Sequence, residues 1–219
     1  MDLQFTLDFL QDLADNNHKD WMDDNKKRYL EAKQYVIELV TQVVEKASAF
    51  DPSLSTIEPK KALFRINRDI RFSKNKDPYK VNFGAAIVGG GRNSGNPGFY
   101  LHLQPANNFI GGGLYQPPSE VLAKVRQEID YNGQKLRSII SDKDFVKIYH
   151  EPYSTDRLKT APKGYPKDHP DLDLLQLKHY VYMHEVGDAK VVGKSFPDLV
   201  VEAYRVLHPY NLFLKEALD

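Results

Sequence analysis

The amino-acid sequence predicts an α+β fold, a single domain in which an antiparallel β-sheet packs against a long N-terminal helix and further helices. Helical hydrophobic periodicity fills the first 50 residues, and short strand-like segments bounded by glycine and proline fill the middle of the chain. The 219 residues contain no internal repeat and no linker-like tract, so we expect 1–219 to form one domain.

Two helices are predicted at the N-terminus. Thr6 is expected to cap the first, because its hydroxyl can accept a backbone N–H of the following turn. Three leucines then form its apolar stripe: Leu7, Leu10 and Leu13. The second helix is expected from about His18 to Phe50, where Asp51-Pro52 ends it. A spacing of four places three residues on one of its faces, which indicates either a buried aromatic stripe or the wall of a site: Trp21, Asn25 and Tyr29.

Strands are predicted in the middle and near the end of the chain. Their expected bounds are Ala62–Ile66, Phe83–Val88, Phe99–Leu103, Asn108–Leu114 and Tyr180–Glu185. In the third, apolar residues alternate with Tyr100 and His102, so the two sets lie on opposite faces of a sheet. The third and fourth are close enough in sequence to form a hairpin, which indicates an antiparallel sheet.

Helices return in the C-terminal half. They are expected at Ser119–Tyr131, at Gln134–Ser141 and from Pro197 to about Val206, with Pro209 ending the last one. The segment Thr155–Asp173 is rich in proline, lysine and aspartate, which predicts an ordered surface loop.

The composition excludes several classes of function. The chain has no cysteine, which excludes disulfides, thiolate metal sites and cysteine nucleophiles and suits a reducing compartment. No stretch approaches the roughly 20 apolar residues that span a bilayer, and the N-terminus carries an acid where a signal peptide has bases. We therefore expect a cytoplasmic protein with no membrane partner. Its net charge of zero argues against nucleic-acid binding driven by bulk positive charge.

The net balance hides two blocks of opposite charge. Residues 2–24 hold seven acids and one base, whereas residues 60–80 hold eight bases and two acids. Such blocks either attract each other within the fold or face different partners.

The basic block contains the strongest candidate site, residues 67–80. Arginine grips a carboxylate or phosphate through two parallel hydrogen bonds, and lysine adds a mobile point charge. The predicted ligand-binding residues here are Arg68, Arg71, Lys76 and Lys80. Asp69 is predicted to position a guanidinium, and Pro78 to fix the backbone before Tyr79. The alternative is a solvated loop that pairs with the acidic N-terminal helices.

Two further segments are candidates for the same pocket. The glycine run before Tyr115 can present backbone amides to an anion, which makes Gly112, Gly113 and Tyr115 candidate ligand-binding residues. A sheet bulge is the alternative, and the spacing fits neither a P-loop nor a dinucleotide fingerprint. The proline-rich loop adds Lys159 and Lys163, which either close one side of a pocket or lie at the periphery.

Three residues are candidates for catalysis. Tyr79 and His102 are candidates for proton transfer, and Asp69 is the third. No histidine pair has metal-binding spacing and the sequence contains no nucleophile elbow, so we predict neither a metal nor a cofactor.

The order of several short motifs resembles one known family. The motifs are Phe9-Leu-x-x-Leu13, Asn16-Asn17-x-x-Asp20-Trp21, Arg68-Asp-x-Arg-Phe-Ser73, Pro78-Tyr-Lys80, Gly112-Gly-Leu-Tyr115 and Lys159-x-x-Pro-Lys-Gly-Tyr165. They are similar, over nearly the whole chain, to the family called domain of unknown function 2461. That family has no settled activity, substrate or cofactor, so the resemblance implies no catalytic residues.

Three functions are compatible with the sequence. The first is a small-molecule enzyme or binder with a basic pocket for a phosphate- or carboxylate-bearing ligand. The second is a weak nucleic-acid-binding module in which Phe72 and Tyr79 stack against bases. The third is a structural or regulatory interaction protein whose basic block is committed to internal pairing. The sequence leaves open whether the protein is an enzyme and what its oligomeric state is.

Overall fold

The computed structural model describes residues 1–153 and 156–219, and it has the predicted α+β architecture. The helices of these ranges are α1 (Leu3–Asp15), α2 (Lys19–Asp24), α3 (Lys26–Ala47), α4 (Pro59–Ala62), α5 (Ser119–Ile140), α6 (Lys143–Ile148), α7 (Leu172–Leu175), α8 (Asp188–Val191) and α9 (Phe196–Glu216). The strands are β1 (Phe83–Ile87), β2 (Gly98–Leu103), β3 (Asn108–Leu114) and β4 (Tyr180–Val186). A 3-10 helix, Pro52–Thr56, follows α3.

The four strands form one antiparallel sheet in the order β1-β2-β3-β4. β2 and β3 are the predicted hairpin. β4 pairs with the far side of β3 after an excursion through α5, α6 and α7, so β3 has a hydrogen-bonded neighbour on each side. The alternation in β2 is as predicted, because Phe99, Leu101 and Leu103 are buried. Tyr100 and His102 lie on the opposite face and are half-buried.

The C-terminal helix α9 covers the inner face of the sheet, with Tyr204 stacked on Phe99 at 4.5 Å between ring centroids. The two layers approach most closely at β3. A side chain on Gly112 would come within 2.9 Å of Leu207 Cδ2 and would also collide with the carbonyl oxygen of Gly98. Glycine is therefore required at this point of contact. The long N-terminal helix α3 lies beside α9 and packs on α1 and on the edge strand β1.

Aromatic side chains dominate the core between the sheet and the helices. The largest fully buried side chains are Tyr149, Tyr180, Tyr204, Tyr210, Phe9, Phe99, Phe145, Phe196 and Phe213. One continuous cluster of buried residues joins α1, α3, the inner face of the sheet and α9. Such a cluster is typical of a sheet and a helical layer that share one core.

The outer face of the sheet is the surface formed by the remaining strand positions. It consists of Gly84, Ala86, Gly98, Tyr100, His102, Phe109, Gly111, Gly113, Val181, Met183 and Glu185. Most of its larger side chains are half-buried rather than buried, because α9 and α3 lie on the opposite side of the sheet.

The first helix begins one turn earlier than predicted. Asp2 is its N-cap, and the carboxylate accepts the backbone N–H of Phe5 at 2.9 Å. Thr6 lies inside the helix, where it is buried and its hydroxyl donates to the carbonyl oxygen of Asp2. A carboxylate at a helix N-terminus gains from the helix dipole as well as from the hydrogen bond, which explains why Asp2 takes this role.

The helix predicted from His18 to Phe50 is divided in two at Asn25. The side-chain amide of Asn25 donates to the carbonyl oxygen of Trp21 at 3.0 Å, and its oxygen accepts from Arg28 at 3.0 Å. Trp21 and Tyr29 pack on Phe9 with ring centroids 5.9 and 6.1 Å apart. This face is therefore the aromatic stripe rather than the wall of a site.

The segment Ala62–Ile66 is not the predicted strand. Pro59 opens α4, which includes Ala62, because proline is preorganised for the first turn of a helix. The chain then pairs with β1 only briefly, through one bridge between Leu63 and Ala85.

The break predicted between Ser119–Tyr131 and Gln134–Ser141 is present within α5, where Asn132 has the non-helical backbone angles φ −127° and ψ 28° and kinks the helix. One predicted helix end is wrong, because α9 continues past Pro209. The part beyond the proline buries Tyr210, Phe213 and Leu214. Burial at ~1.5–3 kcal/mol per large apolar side chain outweighs the ~3 kcal/mol cost of a proline inside a helix.

The predicted surface loop begins at Thr155, which lies outside the described residues. From Asp156 to Asp171 the chain is loop, as expected. A hydrogen bond of 2.9 Å from Leu158 N to the carbonyl oxygen of Gln176 ties it to the segment after α7.

Replacement of Gly112 by alanine tests the close contact between α9 and β3. The added methyl group would overlap the carbonyl oxygen of Gly98 and crowd Leu207, so we expect the free energy of unfolding to fall by about 1–3 kcal/mol or more. Chemical denaturation measures this change. Gly187→Ala is the matched control, since a side chain there meets no atom within 4 Å. Equal losses in the two variants would contradict the proposed contact.

Candidate functional site

The predicted basic segment folds as a small hairpin on the surface. Asn67 and Tyr79 face each other across it, and hydrogen bonds run from Arg68 N to the carbonyl oxygen of Pro78 at 2.9 Å and from Lys80 N to that of Ile66 at 2.8 Å. The intervening residues 69–77 form its tip. We call residues 66–80 the basic hairpin.

The base of the hairpin is held by Asn17 from the connection between α1 and α2. Its amide nitrogen donates to the carbonyl oxygen of Tyr79 at 3.0 Å, and its amide oxygen accepts the N–H of Tyr79 at 3.1 Å. The Tyr79 ring is buried, and burial together with the Asp23 carboxylate raises the pKa of its phenol. Tyr79 therefore anchors the hairpin, and a buried ring is not available as a stacking surface for bases.

Arg71 is engaged by Asp69 at the tip of the hairpin. Two parallel hydrogen bonds, Nε to Oδ1 at 2.9 Å and Nη2 to Oδ2 at 2.7 Å, join the side chains. The pair lowers the pKa of Asp69 and raises that of Arg71, mainly through these hydrogen bonds. The Arg71 guanidinium, which was predicted to bind a ligand, is therefore paired with the carboxylate of Asp69.

Arg68 and Lys76 also contact the hairpin itself. Arg68 donates to the carbonyl oxygen of Asp77 at 3.2 Å and to Ser73 Oγ at 3.4 Å. Lys76 Nζ donates to the carbonyl oxygen of Ile70 at 3.0 Å. Arg68, Arg71 and Lys76 therefore do not converge on a cavity.

The acidic N-terminal block does not neutralise these bases through ion pairs. Within 1–153 and 156–219, the ion pairs of the basic block are with acids close in sequence: Lys61–Glu58, Arg68–Asp77 and Arg71–Asp69. The internal pairing that was the alternative interpretation is therefore local to the hairpin and to α4.

Lys80 belongs to a different group of cations, which surrounds Phe64. Lys80 Nζ lies 5.6 Å and Arg92 Cζ 5.4 Å from the centroid of that ring. Burial and the charges of Arg65 and Arg92 lower the pKa of the half-buried Lys80 ammonium. No ion pair involves Arg65, Lys80 or Arg92 in the described part of the chain. We call these three residues and Phe64 the Phe64 cluster.

The outer face of the sheet continues from this cluster as a series of aromatic rings. Phe64 meets Tyr100 edge-on at 6.1 Å between centroids, and Tyr100 lies 5.7 Å from Phe109. The His102 ring stacks on Phe109 at 4.5 Å with an interplanar angle of 9°. The cluster and the rings form one surface, with positive charge beside Phe64 and the exposed Glu185 opposite Phe109.

His102 lies in a hydrogen-bonded network on this face. Its Nδ1 is 3.2 Å from the Tyr100 hydroxyl, and its Nε2 is 3.2 Å from Gln104 Oε1. Burial lowers the pKa of His102 and raises that of Tyr100 to about 12. Both groups are therefore neutral at physiological pH, and His102 is the catalytic candidate that lies beside the Phe64 cluster.

The glycine run does not form the predicted anion-binding concavity. Gly112 and Gly113 lie within β3, whose backbone pairs with β2 on one side and β4 on the other. Gly112 faces α9, and Gly113 has a φ of 118° that strongly favours glycine. These two glycines therefore have a structural role in the sheet. Tyr115 follows β3 as an exposed side chain stacked on His179 at 5.1 Å.

The proline-rich loop, the third predicted segment, contacts α5 and α7. Lys159 and Lys163 are exposed. The loop that carries them contacts α5 through His169 and Asp130 at 2.9 Å, and its Arg157 donates to the carbonyl oxygen of Asp173 at 2.6 Å. None of the hydrogen bonds and ion pairs of the described ranges joins this loop to the basic hairpin. The structure thus does not bring the three predicted segments into one pocket.

A broad cavity of about 860 Å³ opens beside the Phe64 cluster. Its wall includes Lys60, Lys61 and the Glu58 that pairs with Lys61, together with Ala86 of the outer face, and Arg92 is the member of the Phe64 cluster that lines it. Sequence analysis missed Arg92 because it lies in an irregular loop, 88–97, with no hydrophobic pattern. The high density of basic residues in 60–80 pointed to Lys60 and Lys61, but it did not extend to Arg92.

Among the residues that the structure describes, no group of three or more histidine, aspartate or glutamate side chains is placed to hold a metal ion. None of the helices in those ranges has the length and apolar character needed to cross a bilayer.

Asn17→Ala tests the anchor of the basic hairpin. Loss of two hydrogen bonds to the Tyr79 backbone should lower the free energy of unfolding by about 1–3 kcal/mol, as measured by chemical denaturation. Asn107→Ala is the control, because its exposed side chain makes no hydrogen bond within the described ranges. A loss in Asn17→Ala no greater than in the control would disprove the anchoring role.

His102 should titrate below the ordinary histidine pKa of about 6.5. Because the folded state binds this proton less tightly than the unfolded chain, His102 removes stability as pH falls below that value. Imidazole NMR signals followed against pH, with His102→Gln used for assignment, measure the pKa directly. A pKa at or above 6.5 would contradict the burial of the ring.

Comparison with known proteins relates the chain to one family. A family profile described as "Conserved hypothetical protein (DUF2461)" matches residues 5–213. No curated protein and no solved structure gives a significant match. The matched span includes the basic hairpin, the outer face of the sheet and most of α9. The chain therefore belongs to the DUF2461 family of conserved hypothetical proteins.

Proposed function

We propose that the protein binds a small molecule that carries a phosphate or carboxylate group, with the anion at the Phe64 cluster. The observation that carries this proposal is the approach of two cations, Lys80 and Arg92, to one aromatic ring. Arg65 adds a third positive charge that lowers the pKa of Lys80. We therefore place the predicted anion site at the Phe64 cluster and not at the tip of the basic hairpin.

The energetics favour an anionic ligand at this location. Like charges repel one another, and the repulsion is screened less where the groups are partly buried, as Lys80 is. A phosphate or carboxylate among the three cations would reverse the sign of this interaction. Arg92 donates one N–H, from Nη1, to the carbonyl oxygen of Leu63 at 2.9 Å. A guanidinium carries five N–H donors, so it can also donate to the oxygens of such a group.

The neighbouring rings indicate what the rest of the ligand resembles. Tyr100, His102 and Phe109 present aromatic surface next to the cations. A planar ring joined to the anionic group would contact this surface while neutral His102 and Tyr100 exchange hydrogen bonds with it. A nucleoside monophosphate has both parts. Neutral His102 is also the group that would accept a proton if binding is followed by catalysis.

Single-stranded nucleic acid is the second candidate. Aromatic rings on the two central strands of a four-stranded antiparallel sheet are a known arrangement for stacking bases. The zero net charge of the chain makes this binding weak, and contacts between the phosphates and the local cations would make it dependent on salt. The cytoplasmic location predicted from the sequence is part of both proposals, since both ligands are abundant there.

Isothermal titration calorimetry with AMP, inorganic phosphate and a uridine oligonucleotide tests the proposal. AMP should bind more tightly than phosphate, and Lys80→Met and Arg65→Met should each weaken AMP binding about tenfold, the effect of ~1.4 kcal/mol. Arg71→Met is the matched control, because Arg71 is already paired with Asp69.

The outcomes separate the candidate functions. Absence of AMP and phosphate binding, or an equal loss in Arg71→Met, would disprove the anion site. Tighter binding of the oligonucleotide, in proportion to its length, would favour the nucleic-acid interpretation. A lowered melting temperature in Lys80→Met with no ligand bound by the wild type would favour the structural role.

A further inference from the structure

Lys80 differs from other lysines of the basic block in what its ammonium group contacts. Lys61 Nζ is paired with Glu58 at 2.6 Å, and Lys76 Nζ donates to the carbonyl oxygen of Ile70 at 3.0 Å. In the described part of the chain, Lys80 Nζ has no ion pair and donates no hydrogen bond to the protein. The side chain is nevertheless half-buried. Structural pairing therefore does not explain where this amine lies.

The backbone that carries Lys80 is held in place. Lys80 N donates to the carbonyl oxygen of Ile66 at 2.8 Å, and the preceding residue, Tyr79, is held by two hydrogen bonds to Asn17. The ammonium group itself lies 5.6 Å from the centroid of the Phe64 ring. A reacting group that is positioned before the reaction loses less entropy in the transition state than a mobile one. The fold therefore presents the Lys80 amine at a defined location.

The surroundings of Lys80 favour the neutral amine over the ammonium ion. Burial, together with the positive charges of Arg65 and Arg92, lowers the pKa of Lys80. An exposed lysine with a pKa of about 10.4 is neutral in roughly one molecule in a thousand near about pH 7.4. The neutral amine is the nucleophilic form, and proteins activate lysines by burial against apolar surface or by placing them next to another cation. Both conditions are met beside Phe64.

The same group of residues is open to a ligand. Phe64 is 40% exposed, and Lys80 is half-buried rather than buried. Arg92, whose guanidinium contacts the same ring, lines the cavity of about 860 Å³. A small molecule can therefore reach the amine and a guanidinium without displacing core residues.

We propose that Lys80 is a nucleophile that forms an imine with an aldehyde or ketone that also carries a phosphate or carboxylate group. This inference rests on the proposed function, because the guanidinium groups of Arg65 and Arg92 bind the anionic group of the same ligand. It adds a covalent step at Lys80 and narrows the ligand to anionic carbonyl compounds.

The step requires no oxidant, reductant or cofactor. The Lys80 nitrogen adds its lone pair to the carbonyl carbon, and the oxygen takes up a proton as the nitrogen loses one, which gives a carbinolamine. The hydroxyl group then leaves with a proton as water, and the nitrogen lone pair forms the C=N bond. The nitrogen of the protonated imine is positive and lies in the same molecule as the bound anion. The repulsion that Lys80 experiences from the two guanidinium groups is therefore offset in the adduct.

Reductive trapping with 4-carboxybenzaldehyde tests the proposal. This probe combines an aldehyde, a carboxylate and a planar ring, and benzaldehyde is the matched control that lacks the carboxylate. Cyanoborohydride transfers a hydride to the imine carbon and leaves a stable secondary amine, which peptide mass spectrometry locates. We expect Lys80 to be modified at least tenfold faster than the exposed Lys74, and benzaldehyde to modify Lys80 at least tenfold more slowly, since it lacks one charged contact.

Three variants separate the reactive amine from its charge. Lys80→Arg keeps a positive charge but forms no imine, so it should retain AMP binding and lose the rapid incorporation of one equivalent of probe, measured by intact-mass spectrometry. Lys76→Arg should retain both. In Arg65→Met the amine is present but one cation is missing, and modification of Lys80 should slow at least tenfold.

The possible results lead to different conclusions. Modification of Lys80 no faster than that of Lys74, equal modification by the two aldehydes, or an unchanged rate in Arg65→Met would overturn the imine. AMP binding without selective modification of Lys80 would overturn the imine and leave the anion site in place. Absence of both AMP binding and selective modification would overturn both proposals.

Discussion

The close packing of α9 on β3 is the constraint on which the rest of the structure depends. Because Gly112 has no side chain, Leu207 of α9 approaches β3 closely. The helix packs mainly on β3, its Tyr204 and Tyr210 contact rings of β2 and β4, and α3 packs on the edge strand β1. Because these helices lie on the inner face, the outer face retains its half-buried rings.

The motifs that carry the family resemblance act mainly on architecture. Asn17 and the Pro78-Tyr79-Lys80 segment meet through the two hydrogen bonds at the base of the basic hairpin. The Arg68-to-Ser73 motif forms its tip, where the Arg71 side chain is used to hold Asp69. Of the bases predicted for ligand binding in this segment, the hairpin delivers Lys80 to the Phe64 cluster. A dense run of charges in a sequence can therefore form a turn that engages most of its own basic side chains, rather than a pocket made of all of them.

The α+β class and the strand order of the hairpin could be predicted because they depend on local periodicity, as in the alternation around Tyr100 and His102. Element ends were less predictable where packing overrides local preference, as at Pro209, where the buried residues beyond it sustain the helix. The Phe64 cluster was only partly predictable. Lys80 lay in a conspicuous charge block, whereas Arg92 lay in a loop without pattern, and only the fold places both on the Phe64 ring. The approach of two distant cations to one ring is a property of the tertiary structure, so no local pattern indicates it.

The Phe64 cluster departs from the way in which folding normally treats charges. Charged groups that are partly buried are usually paired, since an unpaired charge costs part of a marginal stability of about 5–15 kcal/mol. Lys80 is partly buried beside Arg92 on one ring and has no ion pair in the described ranges, whereas Arg71 in the same basic hairpin is paired with Asp69. The proposed anionic ligand would offset the repulsion among the cations of the cluster. This difference in pairing, rather than the density of basic residues along the chain, is the reason for placing the proposed anion at the Phe64 cluster.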